Sequence, residues 1–202
     1  MTQPLYIAKT QKNSEPLLDL GPIDIGPLVN ILKLQPELWL LDTTRQKKFK
    51  VHQQTQSIVL IWSNTPHDRV VNKELMALFK PWVLPFLQQL SLSLGLTDAR
   101  VYKLMFAKLP GGGKVQPHVD TGLVLRIVHR IHVPVITNHQ VVTSIDGHCF
   151  SLQAGRIYNF NNTLRHEVHN KSSEDRIHLI IDIQDKYLFN NQYEKYSSGV
   201  MS

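Results

Sequence analysis

Short apolar segments follow one another closely in the second half of this 202-residue chain, and this pattern restricts the possible folds more than any other feature. Turn-forming stretches such as PGGG, DGH and NNT separate about eight such segments. Short strands joined by tight turns are typical of antiparallel barrels and jelly rolls, because parallel strands need long crossovers. The sequence therefore predicts a mainly β fold with flanking helices, built as an antiparallel barrel or as a jelly roll of the double-stranded β-helix (cupin-like) type. The predicted strands are Arg100–Leu109, Val115–Asp120, Leu125–Thr137, Gln140–Ile145, His148–Leu152, Arg156–Phe160, Arg165–Asn170 and Asp175–Ile183.

The first half of the chain has a different periodicity. Apolar residues in Asn72–Gly95 recur at intervals of three and four, which predicts a helix that Pro81 and Pro85 kink or divide, with Gly95 as its C-terminal stop. Segment Lys48–Trp62 alternates and predicts a hairpin that turns near Gln54 and Thr55.

A shorter helix is predicted within Ile25–Trp39, with Pro27 near its start and a break at Pro36. No linker divides the chain, so we expect one domain over residues 1–202. Residues 1–98 would pack helices and a hairpin on the barrel, residues 99–184 would form the jelly-roll core with a metal site, and residues 185–202 would form a C-terminal tail.

Composition limits the compartment and the partners. The formal charge is +6, but the only basic cluster is RQKKFK at 45–50, so we expect neither a nucleic-acid partner nor, without a long apolar run, a membrane span. The N-terminal residues carry no pattern of a secretion signal. The single cysteine, Cys149, excludes an internal disulfide framework and suits a reducing compartment, which favours a cytoplasmic protein.

Segment HVD offers metal-ligand chemistry. His118 and Asp120 are two apart, so on a strand their side chains point to the same face. An imidazole and a carboxylate on one face are two corners of the 2-His-1-carboxylate triad, which holds Fe(II) and leaves positions open. A hydrogen-bonded His–Asp pair near a turn is the alternative interpretation.

The third ligand has two candidates in RHEVHN. His166 and His169 are three apart and face opposite sides of a regular strand, so only one of them can join His118.

Arg176 opens the following strand and suggests the co-substrate. A triad oxygenase needs an electron source, and 2-oxoglutarate supplies one together with a distal carboxylate that an arginine can grip with two hydrogen bonds. The alternative partners for a buried Arg176 are the carboxylates of Asp182 and Glu167.

Arg-Ile-His occurs twice, at Arg130–His132 and Arg176–His178. In each strand the arginine and the histidine share one face, and the apolar residues between them face outward. The inward pairs would line a small cavity for a dicarboxylate, with His178 more simply a core histidine that makes a hydrogen bond. The outward residues are Ile131, Val133, Val135, Ile177, Leu179 and Ile181.

The order of these motifs resembles the aspartyl/asparaginyl β-hydroxylase family of Fe(II)- and 2-oxoglutarate-dependent oxygenases. Segment NFNNTLRHEVHNKSSEDRIHLIIDI is similar to the C-terminal signature of that family, and RIH at Arg130–His132 is similar to its R-x-H strand. The resemblance covers residues 100 to 184. It implies that the His of H-E-V, His166, is the distal iron ligand, and that Arg130 and His132 contact the co-substrate beside Arg176.

One departure bears on the substrate. The best-known animal members have Gly in place of the acidic ligand, whereas this chain has Asp120 and resembles the members with a complete triad, which include hydroxylases of free amino acids. The resemblance implies a dioxygenase that uses Fe(II), 2-oxoglutarate and O2, hydroxylates an amino-acid side chain in a free amino acid or an intracellular protein or peptide, and releases succinate and CO2. The alternatives are a cupin-type metal oxygenase that does not use 2-oxoglutarate and a non-enzymatic β-barrel binding module.

Overall fold

Two antiparallel sheets face each other in the computed structural model of the chain, which describes residues 15–41, 47, 52–65 and 67–197. The larger sheet has the strand order β1-β9-β6-β11-β4-β2-β3, and the smaller has the order β5-β10-β7-β8. This arrangement confirms the predicted mainly β jelly roll. The strands are β1 Leu17–Pro22, β2 Gln56–Trp62, β3 Val70–Val71, β4 Ala99–Leu109, β5 Lys114–His118, β6 His129–Ile136, β7 Val141–Ile145, β8 His148–Phe150, β9 Arg156–Phe160, β10 His166–Asn170 and β11 Arg176–Asp185.

The helices of the first half of the chain cover the outer face of the larger sheet, and the two later helices pack against each other. The predicted break at Pro36 separates helix α1 from a 3₁₀ helix, and the segment expected to be a C-terminal tail carries helix α4. None of the helices in the described ranges has the length and apolarity that crossing a membrane requires. The helices are α1 Gly26–Leu34, the 3₁₀ helix Pro36–Leu40, α2 Lys73–Ser93, α3 Leu123–Ile127 and α4 Lys186–Ser197.

Helix α2 runs undivided through both prolines. Asn72 caps its start by accepting a hydrogen bond from the backbone N–H of Leu75, and Pro81 and Pro85 lie on its exposed face. Burial of the opposite face against the larger sheet holds the helix together across the hydrogen bonds that the prolines lack. The predicted stop is confirmed: Gly95 has a φ of +66°, and the backbone N–H groups of Gly95 and Leu96 bond back to the last turn.

Strands β6 and β11 lie side by side at the centre of the larger sheet. The predicted outward residues, from Ile131 to Ile181, are buried in one core with the apolar faces of α1 and α2. The alternate residues of both strands therefore face the second sheet, as their period of two predicts.

Three predictions from the sequence need correction or lie outside the described residues. Residues Leu125–Ile127 are helical in α3 rather than the start of a strand, because the chain crosses here from one sheet to the other. Strand β2 pairs with β3 and β4, and the predicted first arm of its hairpin lies outside the described residues. The N-terminal 14 residues and all of the basic cluster except Lys47 also lie outside them.

The turn between β4 and β5 is built on glycine. A Cβ on Gly111 would overlap the carbonyl group of Ser173, which is backbone and cannot move aside easily. Gly112 follows with a φ of +72° and donates a hydrogen bond to Ser172. This contact fixes the start of β5, the strand that carries His118.

We expect Gly111→Ala to lower the free energy of unfolding by about 1–3 kcal/mol or more, because the added methyl group overlaps backbone. Gly26→Ala is the matched control, since the nearest atom to its added Cβ is 3.2 Å away on the side chain of Asp24. Urea denaturation of both variants measures the difference, and equal stabilities would contradict the close approach.

Candidate metal centre

The two predicted strands of the triad are neighbours in the smaller sheet. His118 ends β5, His166 begins β10, and the two residues are directly paired across the sheet. Their rings lie 4.3 Å apart between centroids. Cross-strand pairing thus brings together two histidines that are far apart in sequence.

Asp120 completes the cluster from a position beyond the end of β5. Its backbone N–H donates to the carbonyl of Asn162, and its Oδ1 lies 3.8 Å from Nε2 of His118. One ligand atom from each of His118, Asp120 and His166 lies within 4.8 Å of the others. The structure therefore brings together the three predicted ligands, and a loop contact holds Asp120 just beyond the end of the strand.

Both histidines are oriented for metal binding. Nδ1 of His118 is 2.7 Å from the carbonyl of Gln116, and Nδ1 of His166 is 2.8 Å from the carbonyl of Leu164. A carbonyl can only accept, so each Nδ1 carries the proton and each Nε2 presents its lone pair to the cluster. Burial, together with the nearby positive charges, lowers the pKa of His166 to about 4, so the ring is neutral at neutral pH, as a ligand must be.

The carboxylate of Asp120 is held ionised. Burial alone raises the pKa of its carboxyl group, but the Arg130 guanidinium and the two histidines outweigh this effect and lower it to about 2. The Nε2 atoms of two imidazoles and one carboxylate match the donor set that Fe(II) prefers in a facial triad.

A cavity leads from the cluster into the space between the sheets. His118, Asp120 and His166 lie at one side of it, and Arg176 and His132 line it further along. Arg176 is buried, and its Nη2 lies 2.7 Å from Nδ1 of His178. The structure thus brings Arg176 and His132 to the cavity that contains the candidate ligands.

A second, larger cavity of about 470 Å³ opens on the other side of the cluster. It shares His52, His118, Asp120, Arg130 and Ile180 with the first cavity. The two cavities therefore meet at His118 and Asp120, two of the three candidate ligands. The residues found only in the larger one include Trp62, Asn64, Lys103, Met105, Leu123 and Leu125.

Comparison with known proteins assigns the family. Residues 38–186 match the profile of the family described as Aspartyl/Asparaginyl beta-hydroxylase. The chain belongs to this family. It is thus a member of a family of hydroxylases, which confirms the resemblance seen in the sequence and favours an enzyme over a non-enzymatic binding module. No curated protein sequence matches the chain.

Solved structures share the fold of this family member at low identity. The non-heme α-ketoglutarate-dependent epimerase SnoN from nogalamycin biosynthesis aligns with a TM-score of 0.57 and 11% identity over 85% of this chain and 78% of that chain. A 2OG-Fe(II) oxygenase family protein from Burkholderia pseudomallei aligns with a TM-score of 0.51 and 10% identity, over 64% and 67% of the two chains. A viral collagen prolyl hydroxylase from Paramecium Bursaria Chlorella virus-1 aligns with a TM-score of 0.50 and 9% identity, over 86% and 98%.

Arg130 lines the cavity that Arg176 and His132 line, and its guanidinium also contacts carboxylates of this chain. Its Nη1 donates to Oδ2 of Asp120, and its Nε and Nη2 donate to the two oxygens of Asp182, each at 2.8 Å. All three of its nitrogens are therefore engaged by carboxylates of this chain. Arg130 lines the cavity, but its guanidinium is directed at a candidate metal ligand.

The carboxylates considered as alternative partners for Arg176 pair elsewhere. Asp182 pairs with Arg130 and with Lys103, and Glu167 pairs with Lys114 at 3.1 Å. His178 is a buried histidine whose Nδ1 accepts a hydrogen bond from Nη2 of Arg176, which agrees with the structural role expected for it.

Three residues of the site were given no functional role by the sequence. Asn162 donates to Asp120, Lys103 pairs with Asp182, and His52, interpreted as a loop residue without a function, lies edge-on to His118 at 5.7 Å between ring centroids. Lys103 had a detectable signal, since it is the one charged residue within the apolar run 101–107 of this strand. Asp182 also had a signal in the sequence, because it lies on the same face of its strand as Arg176 and His178.

His166 is expected to bind the metal and His169 is not. His166 is buried beside His118, whereas His169 is partly exposed and is paired with Lys114 on the neighbouring strand β5. His166→Ala should therefore lose Fe(II)-dependent turnover, while His169→Ala should keep nearly wild-type iron affinity and turnover. Iron titration of the two variants side by side tests the assignment, and the reverse order of effects would contradict it.

Proposed function

We propose that the chain is an Fe(II)- and 2-oxoglutarate-dependent dioxygenase that hydroxylates an amino-acid side chain. The observation that carries this proposal is the convergence of His118, Asp120 and His166 at one side of a cavity that Arg176 lines further along. A metal site and a buried guanidinium in one cavity match an iron ion and a co-substrate with a distal carboxylate.

Each residue has a specific task in this proposal. His118, Asp120 and His166 hold Fe(II) through Nε2, Oδ1 and Nε2, respectively. Arg176, oriented by His178, holds the 5-carboxylate of 2-oxoglutarate, and His132 lines the same cavity as a supporting contact. Burial between the sheets excludes water and strengthens the charge-assisted pair. Iron, with 2-oxoglutarate and O2, supplies the oxidation: one oxygen atom enters the substrate C–H bond as hydroxyl, and the other enters succinate as CO2 leaves.

The substrate side chain enters through the larger cavity. Its volume of about 470 Å³ is within the range of small-ligand sites, and it reaches the candidate ligands from the side away from Arg176. A free amino acid and an intracellular protein or peptide both satisfy this arrangement. The single cysteine, exposed at Cys149, suits a cytoplasmic protein.

Succinate release with a panel of free amino acids and peptides tests the proposal. We expect substrate-stimulated release that requires Fe(II), 2-oxoglutarate and O2. Metal-dependent oxygenation that proceeds without 2-oxoglutarate would favour the cupin-type alternative. Failure of the protein to bind iron would contradict both.

A further inference from the structure

We propose that Arg130, Asp182 and Asn162 form a positioning network that makes Asp120 a one-oxygen metal ligand, with Oδ1 toward the metal and Oδ2 held by the protein. This inference rests on the proposed function, because it concerns the same metal site. It also gives Arg130 a task at the metal ligand, besides the co-substrate contact that the family resemblance implies.

The two oxygens of Asp120 have different surroundings. Oδ2 accepts hydrogen bonds from Nη1 of Arg130 and from Nδ2 of Asn162, the latter at 3.1 Å. Oδ1 faces Nε2 of His118 at 3.8 Å. The side chain of Asp120 is 12% exposed, so bulk water has little access to either oxygen. The contacts of Oδ2 turn Oδ1 toward the cluster.

Arg130 is itself held in place by the sheet. Asp182 on β11 is directly opposite Arg130 on β6 and directly opposite Lys103 on β4. This register places an anion between two cations across three adjacent strands, with Nζ of Lys103 3.2 Å from Asp182. Asp182 is fully buried, and it receives two parallel hydrogen bonds from Arg130. A paired fork of this kind fixes the plane of the guanidinium and therefore the direction of Nη1.

Asn162 acts from the loop that follows β9. Its backbone carbonyl accepts a hydrogen bond from the backbone N–H of Asp120 at 3.2 Å, and its side-chain Nδ2 donates one to Oδ2 of Asp120. Nδ2 also donates to the carbonyl of Leu125 at 3.1 Å. Asp120 lies beyond the last ladder bond of β5, so these contacts replace the sheet in fixing its position.

The coordination number explains why one oxygen matters. A facial triad leaves three positions open. In the proposed function a bound metal would need these open positions for 2-oxoglutarate and O2. A carboxylate that bound through both oxygens would take a position that the reaction needs. Hydrogen bonds on Oδ2 prevent this and keep three positions open.

The test is the Mn(II) affinity of the folded protein, measured without 2-oxoglutarate by competition with a chelating indicator. Asn162→Ala removes one donor from Oδ2, and Asp182→Asn removes the charge that orients Arg130. Arg130→Lys keeps the charge but loses the fork. We expect each to bind Mn(II) about 10- to 100-fold more weakly than wild type, as is usual for partners of metal ligands.

Asp19→Asn is the matched control, because it breaks a carboxylate–arginine pair, with Arg156 at 2.6 Å, at the edge of the sheet and outside both cavities. Its Mn(II) affinity should equal that of wild type. The Michaelis constant of Asn162→Ala for 2-oxoglutarate should change little, since Asn162 does not line the co-substrate cavity.

Two results would overturn the inference. A lower melting temperature with wild-type Mn(II) affinity in the folded variants would mean that the network only stabilises the fold. An Arg130→Lys protein with unchanged Mn(II) affinity and a raised Michaelis constant for 2-oxoglutarate would mean that Arg130 contacts the co-substrate and does not position Asp120. If Asp182→Asn does not fold, Asn162→Ala and Arg130→Lys decide the question.

The outcomes also separate this inference from the proposed function. A wild-type protein that binds Mn(II) but does not consume 2-oxoglutarate with Fe(II) refutes the proposed function, while the Mn(II) affinities still test the network. A wild-type protein that does consume it, with variants of unchanged Mn(II) affinity, refutes the network alone.

Discussion

Asp120→Ala and His118→Ala should each abolish Fe(II)-dependent consumption of 2-oxoglutarate while the protein remains folded. Each change removes one of three donors that lie within 4.8 Å of one another, and two donors leave a weak site of the wrong geometry. The loss of metal affinity should exceed the roughly 10- to 100-fold that is usual for residues that only support a ligand.

The two variants differ in what they leave behind. Asp120→Ala takes one carboxylate from Arg130 but leaves Asp182 paired to it, so the guanidinium keeps a buried counter-charge. His118→Ala leaves no buried charge unpaired, since the ring is partly exposed and bonded to a backbone carbonyl. Circular dichroism should therefore show native structure in both. Iron titration and succinate release measure the effect, with Asp19→Asn as the surface control. Unchanged iron affinity in both variants would show that the triad assignment is wrong.

Arg176→Ala should raise the Michaelis constant for 2-oxoglutarate by roughly two to four decades. Removing one partner of a buried guanidinium–carboxylate pair costs about 3–5 kcal/mol, because the other charge is left unpaired away from water. Arg176 is 5% exposed and lines the co-substrate cavity, so it meets the condition of burial. Iron affinity measured without co-substrate should be unchanged, since Arg176 is placed at the co-substrate and not at the metal.

Arg176→Lys should be intermediate, because lysine keeps the positive charge and loses the two parallel donors. His132→Ala should show a smaller loss of the same kind, as expected for a supporting contact. Arg156→Lys is the control, since Arg156 lies at the sheet edge, paired with Asp19 and outside both cavities. Wild-type affinity for 2-oxoglutarate in Arg176→Ala would contradict the proposed co-substrate site and favour a cupin-type oxygenase that does not use 2-oxoglutarate.

Much of the fold could be predicted from the sequence, because successive residues of a strand lie on opposite faces of the sheet. The alternation in β6 and β11 predicted that Ile131 and Leu179 would join the helices and that His132 and Arg176 would face inward, and the structure has this arrangement. The helical spacing of residues 72–95 also predicted α2 and its end at Gly95. Whether the prolines divide that helix could not be decided locally, since packing of the opposite face determines it.

The site itself was only partly predictable. The residue types and spacing of His118, Asp120 and His166 indicated a metal site, and Val119 is exposed between the first two, but the contacts that hold Asp120 were not predicted. Asp120 follows the strand and is positioned by Asn162 and Arg130, which come from other elements. No local pattern encodes such contacts.

The amino-acid sequence by itself therefore determined which side chains face the interior, and with them the chemistry that the interior can perform. Only the tertiary structure decided how those side chains pair. Lys103, Asp182 and Arg130 meet because the register of β4, β11 and β6 places them in one row, and register is a relation between strands. A buried charge is stabilised by its nearest opposite charge. A register shift of two residues in any of these strands would therefore leave each side chain on the same face of the sheet but give each buried charge a different partner.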